Sequence, residues 1–171
     1  QALCLAGGAY AQTPVFGELD LSFTPSHTGS IGAALQPDGK LVVLGNNIQP
    51  VVEPYTHIFR LHPNGDLDAS FRVHLSTADL VVFRTVAVQP DGKIIVGGDF
   101  VYGDSRGLHR DIIRLHPDGS CDTTFFVPEI IGTDGETNID ILAITLQPDG
   151  KILVGGEFML YDNAPHSGIV R

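Results

Sequence analysis

The 171-residue sequence has no tryptophan, one methionine and two cysteines, and ten lysines and arginines stand against twenty aspartates and glutamates. Two cysteines cannot build the disulfide framework that staples small secreted domains. A formal charge of −10 removes the basic face that nucleic-acid phosphates require. It also removes charge attraction to anionic lipid. No stretch reads as a helix of useful length, and no transmembrane segment is present. Catalytic signatures are equally scarce. Gly-x-Ser-x-Gly is absent, and no serine, histidine and acid fall at a recognised nucleophile spacing. Gly97-Gly98 and Gly155-Gly156 follow a β-rich run instead of opening a helix, so they are not a nucleotide loop; they mark a bulge or a close approach of backbones. The recurring aspartates lack the dense Asp-x-Asp-x-Asp-Gly spacing of a calcium loop. His62 and His116 occur singly at matching positions far apart, which argues against a shared zinc site. No cofactor and no metal is expected.

Glycine and proline are plentiful, 20 and 11, and they fall in a pattern. Gln-Pro-Asp-Gly-Lys followed by an apolar run occurs three times, at Gln36 to Val43, Gln89 to Val96 and Gln147 to Val154, with spacings of 53 and 58 residues. An apolar strand leads into each copy (Ala33 to Leu35, Val86 to Val88, Ile144 to Leu146) and another leads out, so Pro-Asp-Gly reads as a hairpin turn. Proline presets the first central position, aspartate bonds the backbone ahead, and glycine takes the left-handed position. A second turn follows at Pro63-Asn64-Gly65 and Pro117-Asp118-Gly119, and then Gly-x-x-Asp-x-Ser/Thr-Phe at Gly65 to Phe71 and Gly119 to Phe125. That last element also stands at Gly17 to Phe23. Two hairpins per unit make four short strands, and four antiparallel strands at such a period describe a β-propeller blade better than a solenoid coil. The expected fold is all-β: a segment of four-stranded antiparallel blades, about three units, forming an incomplete ring. The units run about 24–71, 72–125 and 126–171, with 12–23 the closing strand of a split or preceding unit. Phe23, Phe71 and Phe125, one large ring per unit in register, are expected to fill the layer between neighbouring blades.

In chain order, Ala2 to Ala11 is small and apolar, and Ala9-Tyr10-Ala11 fits the small-x-small cleavage pattern before Gln12. Residues 1–11 therefore read as the remnant of a secretory signal peptide, with an apolar strand or terminus as the alternative. Cys4 would leave with it. Cys121 then remains alone, at a register where the other copies have Leu19 and Leu67, so it reads as an inert, buried thiol. The recurring Asp20, Asp68 and Asp122 read as turn-forming or ladder-capping residues. At the other limit, Gly168-Ile169-Val170-Arg171 matches Asp111-Ile112-Ile113-Arg114. Unpaired strand edges at both limits of the array would invite pairing with further repeats or with another copy.

The copies differ most between the second and third strands of each unit, over Asn46 to Thr56, Val101 to Arg110 and Met159 to Ser167. Such loops carry the specificity of a repeat scaffold. Each holds or adjoins a tyrosine, a histidine and an acid: Glu53, Tyr55 and His57; Tyr102, Asp104 and His109; Tyr161, Asp162 and His166. Aromatic rings with polar tips suit sugar or peptide contact, so these nine residues are the candidate ligand-contact set. The bland alternative is that they cover blade edges.

These motifs carry a family resemblance. Gln-Pro-Asp-Gly-Lys-Ile-Leu/Ile-Val-Gly-Gly-x-Phe, then Ile-x-Arg-Leu-x-Pro-Asp-Gly-Ser-x-Asp-x-Thr-Phe, resembles the delta-60 repeat family of bacterial β-propeller-like repeats, over nearly all of Gly17 to Arg171. WD-type and kelch-type propellers are similar in architecture only, since both patterns use a tryptophan. The resemblance implies a secreted or cell-surface protein with many such units and brings no catalytic or cofactor-binding residues. It departs in the first unit, where Leu44-Gly45-Asn46-Asn47 replaces Gly-Gly-Asp/Glu-Phe and leaves that second strand weakly specified. The resulting expectation is a non-catalytic binding or structural scaffold with a protein or carbohydrate ligand. One alternative is a propeller-fold glycoside hydrolase or lyase using the loop carboxylates, which would need those acids to converge. Another is a self-assembling structural repeat.

Overall fold

The computed structural model describes residues 23, 30–45, 57–77, 81–104, 107–127, 130–131, 139–161, 164–165 and 168–171. The described residues form β1 (Ser30–Leu35), β2 (Leu41–Gly45), β3 (Ile58–Leu61), β4 (Ser76–Thr77), β5 (Val82–Val88), β6 (Ile94–Asp104), β7 (Gly107–Leu115), β8 (Ile130–Ile131), β9 (Ile141–Leu146), β10 (Ile152–Gly156), β11 (Leu160–Tyr161), β12 (Ala164–Pro165) and β13 (Ile169–Val170). No helix occurs among them. Three antiparallel sheets follow the repeat: β1-β2-β3, β5-β6-β7 and β9-β10-β13. The strand in the first unit that departs from the family pattern, β2, is formed, and it pairs on both sides.

The turns stand where the sequence puts them. Gly39, Gly65, Gly92, Gly119 and Gly150 have φ between 83° and 94°, the left-handed region that L side chains avoid. In each first hairpin the glutamine amide donates to the lysine carbonyl across the turn, at 2.8 Å in Gln36, Gln89 and Gln147 alike. The fourth strand is shorter than expected. After the second turn it survives as single bridges, Leu61 to Leu67 and Leu115 to Cys121. One residue later the Asp68 and Asp122 carboxylates accept bonds from the amides of Ser70 and Thr124, and this Asx turn bends the chain off the ladder.

Consecutive sheets pack face to face. In the second strands of the first two blades neighbouring residues are buried on opposite faces, Val42 and Val43 or Ile95 and Val96, because these two blades are covered on both sides. Each blade thus has a leading face toward the preceding unit and a trailing face toward the next. Val42, Leu44 and Ile58 on the trailing face of the first blade share one core with Ile94, Val96, Ile113 and Leu115 on the leading face of the second. Ile95 and Ile112 of the second blade share another with Val154 and Val170 of the third. Of the repeated phenylalanines, Phe71 is buried between blades as expected, whereas Phe125 and Phe23 are only half-buried. Phe71 lies in the first interblade core, Phe125 packs against the second, and Phe23 packs on Val43, Phe59 and Leu61 of the first blade's leading face. The pairing of Leu19 to Ser22 lies outside the described residues.

The paired glycines sit at bulges. The first strand of each blade carries one extra residue, Ile31, Arg84 or Leu142, where the register shifts opposite the end of the second strand. A Cβ on Gly98 would lie 2.1 Å from the Val82 carbonyl oxygen, and one on Gly156 would lie 2.3 Å from that of Asp140, so the bulge closes only against glycine.

Candidate functional site

The pattern that recurs most strictly within the chain, lysine, arginine and aspartate at matching places in successive units, builds one buried polar cluster per complete unit. Arg60 donates from Nε and Nη2 to Asp68 Oδ2 at 2.9 Å each. Lys40, from the first turn, reaches the same oxygen at 3.0 Å, and the Ser70 hydroxyl donates to Oδ1 at 2.5 Å. The second unit repeats this with Arg114 and Lys93 on Asp122 Oδ2, at 2.9 and 3.0 Å, and Thr124 on Oδ1 at 2.6 Å. Each arginine also lies over the phenylalanine three residues past the aspartate, Arg60 at 4.7 Å from the Phe71 centroid and Arg114 at 4.5 Å from that of Phe125, a cation–π contact. Burial would raise the carboxyl pKa of Asp68 and Asp122, but bonds from Ser70 or Thr124, the lysine and the arginine more than offset it and hold both well below the usual carboxylate range. Arg60 Nη1 donates to the Pro117 carbonyl at 2.6 Å, so the cluster ties the first blade to the second turn of the next. These aspartates spend their oxygens on structure.

The segments between second and third strands are more regular than the expected loops. In the second unit β6 and β7 run on past a register break at Gly97 and Val101, pairing Val101 to Asp104 with Gly107 to Arg110, and β4 joins this extension. In the third, β11, β12 and β8 form the corresponding small sheet. Short apolar pairs at the base of each extension, such as Val101-Tyr102 and Met159-Leu160, let the hairpin continue beyond the blade.

Tyr102 and His109 are cross-strand partners in register, but Tyr102 is 4% exposed and its ring lies 6.2 Å from Phe100 within the core. That ring packs the interblade layer and offers no face to a ligand. Tyr161 faces Ile130, whereas the residue facing β8 at the register of Tyr102 is Leu160. The two tyrosines therefore occupy adjacent, not equivalent, positions. The sequence carries this offset, since from the shared Gly-Gly-x-Phe Tyr102 follows Phe100 by two residues and Tyr161 follows Phe158 by three. Asp104 lies at the tip pair with Gly107. His57 is exposed, and its Nδ1 lies 2.8 Å from the Gly45 carbonyl, so Nδ1 donates. Glu53, Tyr55, Asp162 and His166 lie outside the described residues. Cys121 is half-buried against the first interblade core.

Asp111 was not among the candidates. It stands at the register of Gly168 and shares its left-handed backbone, φ 64° against 71°. Its carboxyl is buried at the break in β6 and β7. Burial, then the nearby Asp99, push its pKa up to about 7, against the opposing pull of Arg110 and a bond from the Phe100 backbone. The matching of Asp111-Ile112-Ile113-Arg114 with Gly168-Ile169-Val170-Arg171 held the signal: an aspartate where a sister unit has glycine. From the first strand of the same blade, Arg84 reaches across to the third unit and donates to both oxygens of Asp140, at 2.9 and 3.1 Å from Nε. Among the described residues no group of three or more histidines, cysteines and acids is placed to hold a metal ion.

Antiparallel sheets packed face to face in sequence order, each closed by a side chain from the unit before, define a β-propeller repeat protein. The chain belongs to the family described as a domain of unknown function (DUF5122) beta-propeller, whose model matches residues 36–71, 89–125 and 147–171. Each matched stretch begins at the first turn of a blade, just after the first strands β1, β5 and β9, and takes in the second and third strands. No curated protein and no solved structure matches the chain.

Proposed function

We propose that this propeller segment is a secreted or cell-surface scaffold that binds a protein or carbohydrate through its strand extensions and performs no chemistry. The observation that carries this reading is the fate of the recurring charges. Asp68 and Asp122 are saturated by lysine, arginine and hydroxyl donors inside the blades, so what repeats is framework, while what differs from unit to unit is the extension beyond it. Loops and hairpins on a rigid repeat array are where binding specificity resides. The resemblance to delta-60 repeats supports a surface or secreted setting, as does the small, apolar Ala2 to Ala11 stretch. Among the described residues no helix is long and apolar enough to cross a membrane.

The test is an incubation of the purified chain with a panel of polysaccharides and chromogenic glycosides, alongside glycan and peptide arrays. The scaffold reading predicts array binding weakened by His57→Ala or Asp104→Ala, with no release of reducing ends or chromophore. Turnover abolished by Glu53→Gln, Asp104→Asn or Asp162→Asn would overturn it in favour of the hydrolase or lyase.

A further inference from the structure

The second unit's strand extension leaves its blade through a break in the ladder. β6 and β7 pair from Ile94 with Leu115 to Gly97 with Ile112, and again from Val101 with Arg110 to Asp104 with Gly107. Between the two ladders Gly98, Asp99 and Phe100 stand against Asp111. The two strands are held differently there. On the β6 side the rings of Phe100 and Tyr102 anchor the chain in the first interblade core. On the β7 side Ile112 and Ile113 are fixed in the cores flanking the blade, whereas Arg110 is exposed, so Asp111 is where β7 departs from packed structure. The backbone at this point asks only for glycine, since Gly168 makes the same left-handed turn in the third unit. Aspartate instead adds strain that glycine escapes, and it buries a carboxyl, the residue being 3% exposed. The turn needs neither.

We infer that Asp111 is a proton-controlled latch: protonated, it stays buried at the break and holds residues 107–110 on β6; ionised, it turns out to water and lets that arm of the extension peel from its partner. The groups packed around the carboxyl set the direction. Burial disfavours the anion, and so do Asp99 in the bulge of β6 and Asp140 leading into β9; Arg110 of β7 and the Phe100 amide favour it. Arg84 of β5 is bound to both oxygens of Asp140 and faces Asp99 and Glu157 as well. Burial and like charge prevail, so the folded acid keeps its proton up to about 7. In the peeled form the carboxyl meets water and returns to its ordinary 3.8. Peeling therefore releases one proton to solvent, becomes easier as pH rises from 3.8 to about 7, and levels off above. The latch works whether or not the extension binds a ligand.

Hydrogen exchange of the whole chain, followed by NMR from pH 5 to 8 and corrected for intrinsic exchange rates, tests it. Protection of the amides that join Val101 to Asp104 with residues 107–110 is expected to fall at least about tenfold between pH 5 and 7, since one released proton allows up to about tenfold per unit. Above about 7 it should level off. These amides should exchange ahead of the blade's and independently of low urea, the mark of a local opening. Asp111→Asn keeps an acceptor for the Phe100 amide, and Asp111→Gly copies the third unit; each should erase the pH dependence. Protection that does not change with pH in the parent, extension amides that exchange only together with the blade, or a fall that survives both variants would each overturn the proposal.

Discussion

At the scale of single residues, two kinds of buried aspartate act in opposite directions. Asp68 and Asp122 are stabilised as anions, so their contribution is present above the unfolded value of 3.8 and is lost as pH falls below it. Asp68→Ala leaves Arg60 buried without its carboxylate and should cost about 3 to 5 kcal/mol, as breaking buried pairs generally does, read by urea denaturation at neutral pH. Asp111 is the reverse case. Between 3.8 and about 7 the unfolded chain releases a proton that the folded chain keeps, so stability falls as pH rises through that interval. Asn tolerates a left-handed backbone and carries no charge. Asp111→Asn should therefore raise stability by roughly 2 to 4 kcal/mol at pH 8 and leave it nearly unchanged at pH 4. Melting temperatures of parent and variant at the two pH values check this, and an equal shift at both would remove the charge argument.

At the scale of the element, the hairpins and bulges separate two uses of glycine. Gly150 needs its positive φ, 83°, yet has open space around the missing Cβ, so Gly150→Ala should cost only about 1 kcal/mol of backbone strain. Gly98 has no such φ requirement but abuts the Val82 carbonyl. Gly98→Ala should therefore cost clearly more, by forcing the bulge opposite Arg84 open; equal costs in denaturant titrations would contradict this division. The turns and strands were legible because Pro-Asx-Gly and the apolar runs are local signals, each decided by a few neighbouring residues. The Gln-Pro-Asp-Gly-Lys lysine and the Asp-x-Ser/Thr-Phe aspartate were visible as repeats, but their meeting at one oxygen was not, since Lys40 and Asp68, distant in sequence, come together only through the blade's fold. The length of the fourth strand was misjudged because the same aspartate that looked like a ladder cap ends the ladder after one bridge. The strand extensions read as loops because their apolar runs are only two residues long and differ from unit to unit, too short to carry a strand signal on their own.

At the scale of the whole molecule, the closing segment of each complete unit belongs in energy to the next blade. Phe71 follows the first blade in sequence, yet its ring end approaches Gly119 of the second unit's turn, and Arg72 donates to the Asp118 carbonyl at 3.3 Å. Blades joined in this way unfold together, unlike repeats that touch only through a flexible link. Truncating Phe71 to Ala should cost about 3 to 5 kcal/mol with a single transition in denaturant. The most direct measurement is a pair of double-mutant cycles by urea denaturation, Phe71→Ala with Leu115→Ala and Phe71→Ala with Leu61→Ala. The two leucines hold equivalent places on the leading faces of the second and first blades, but only Leu115 shares a core with Phe71. The account predicts a coupling of about 0.5 to 3 kcal/mol for the Leu115 cycle and close to none for the Leu61 cycle. Coupling to Leu61 with none to Leu115 would place Phe71 in its own blade and contradict the interblade lock.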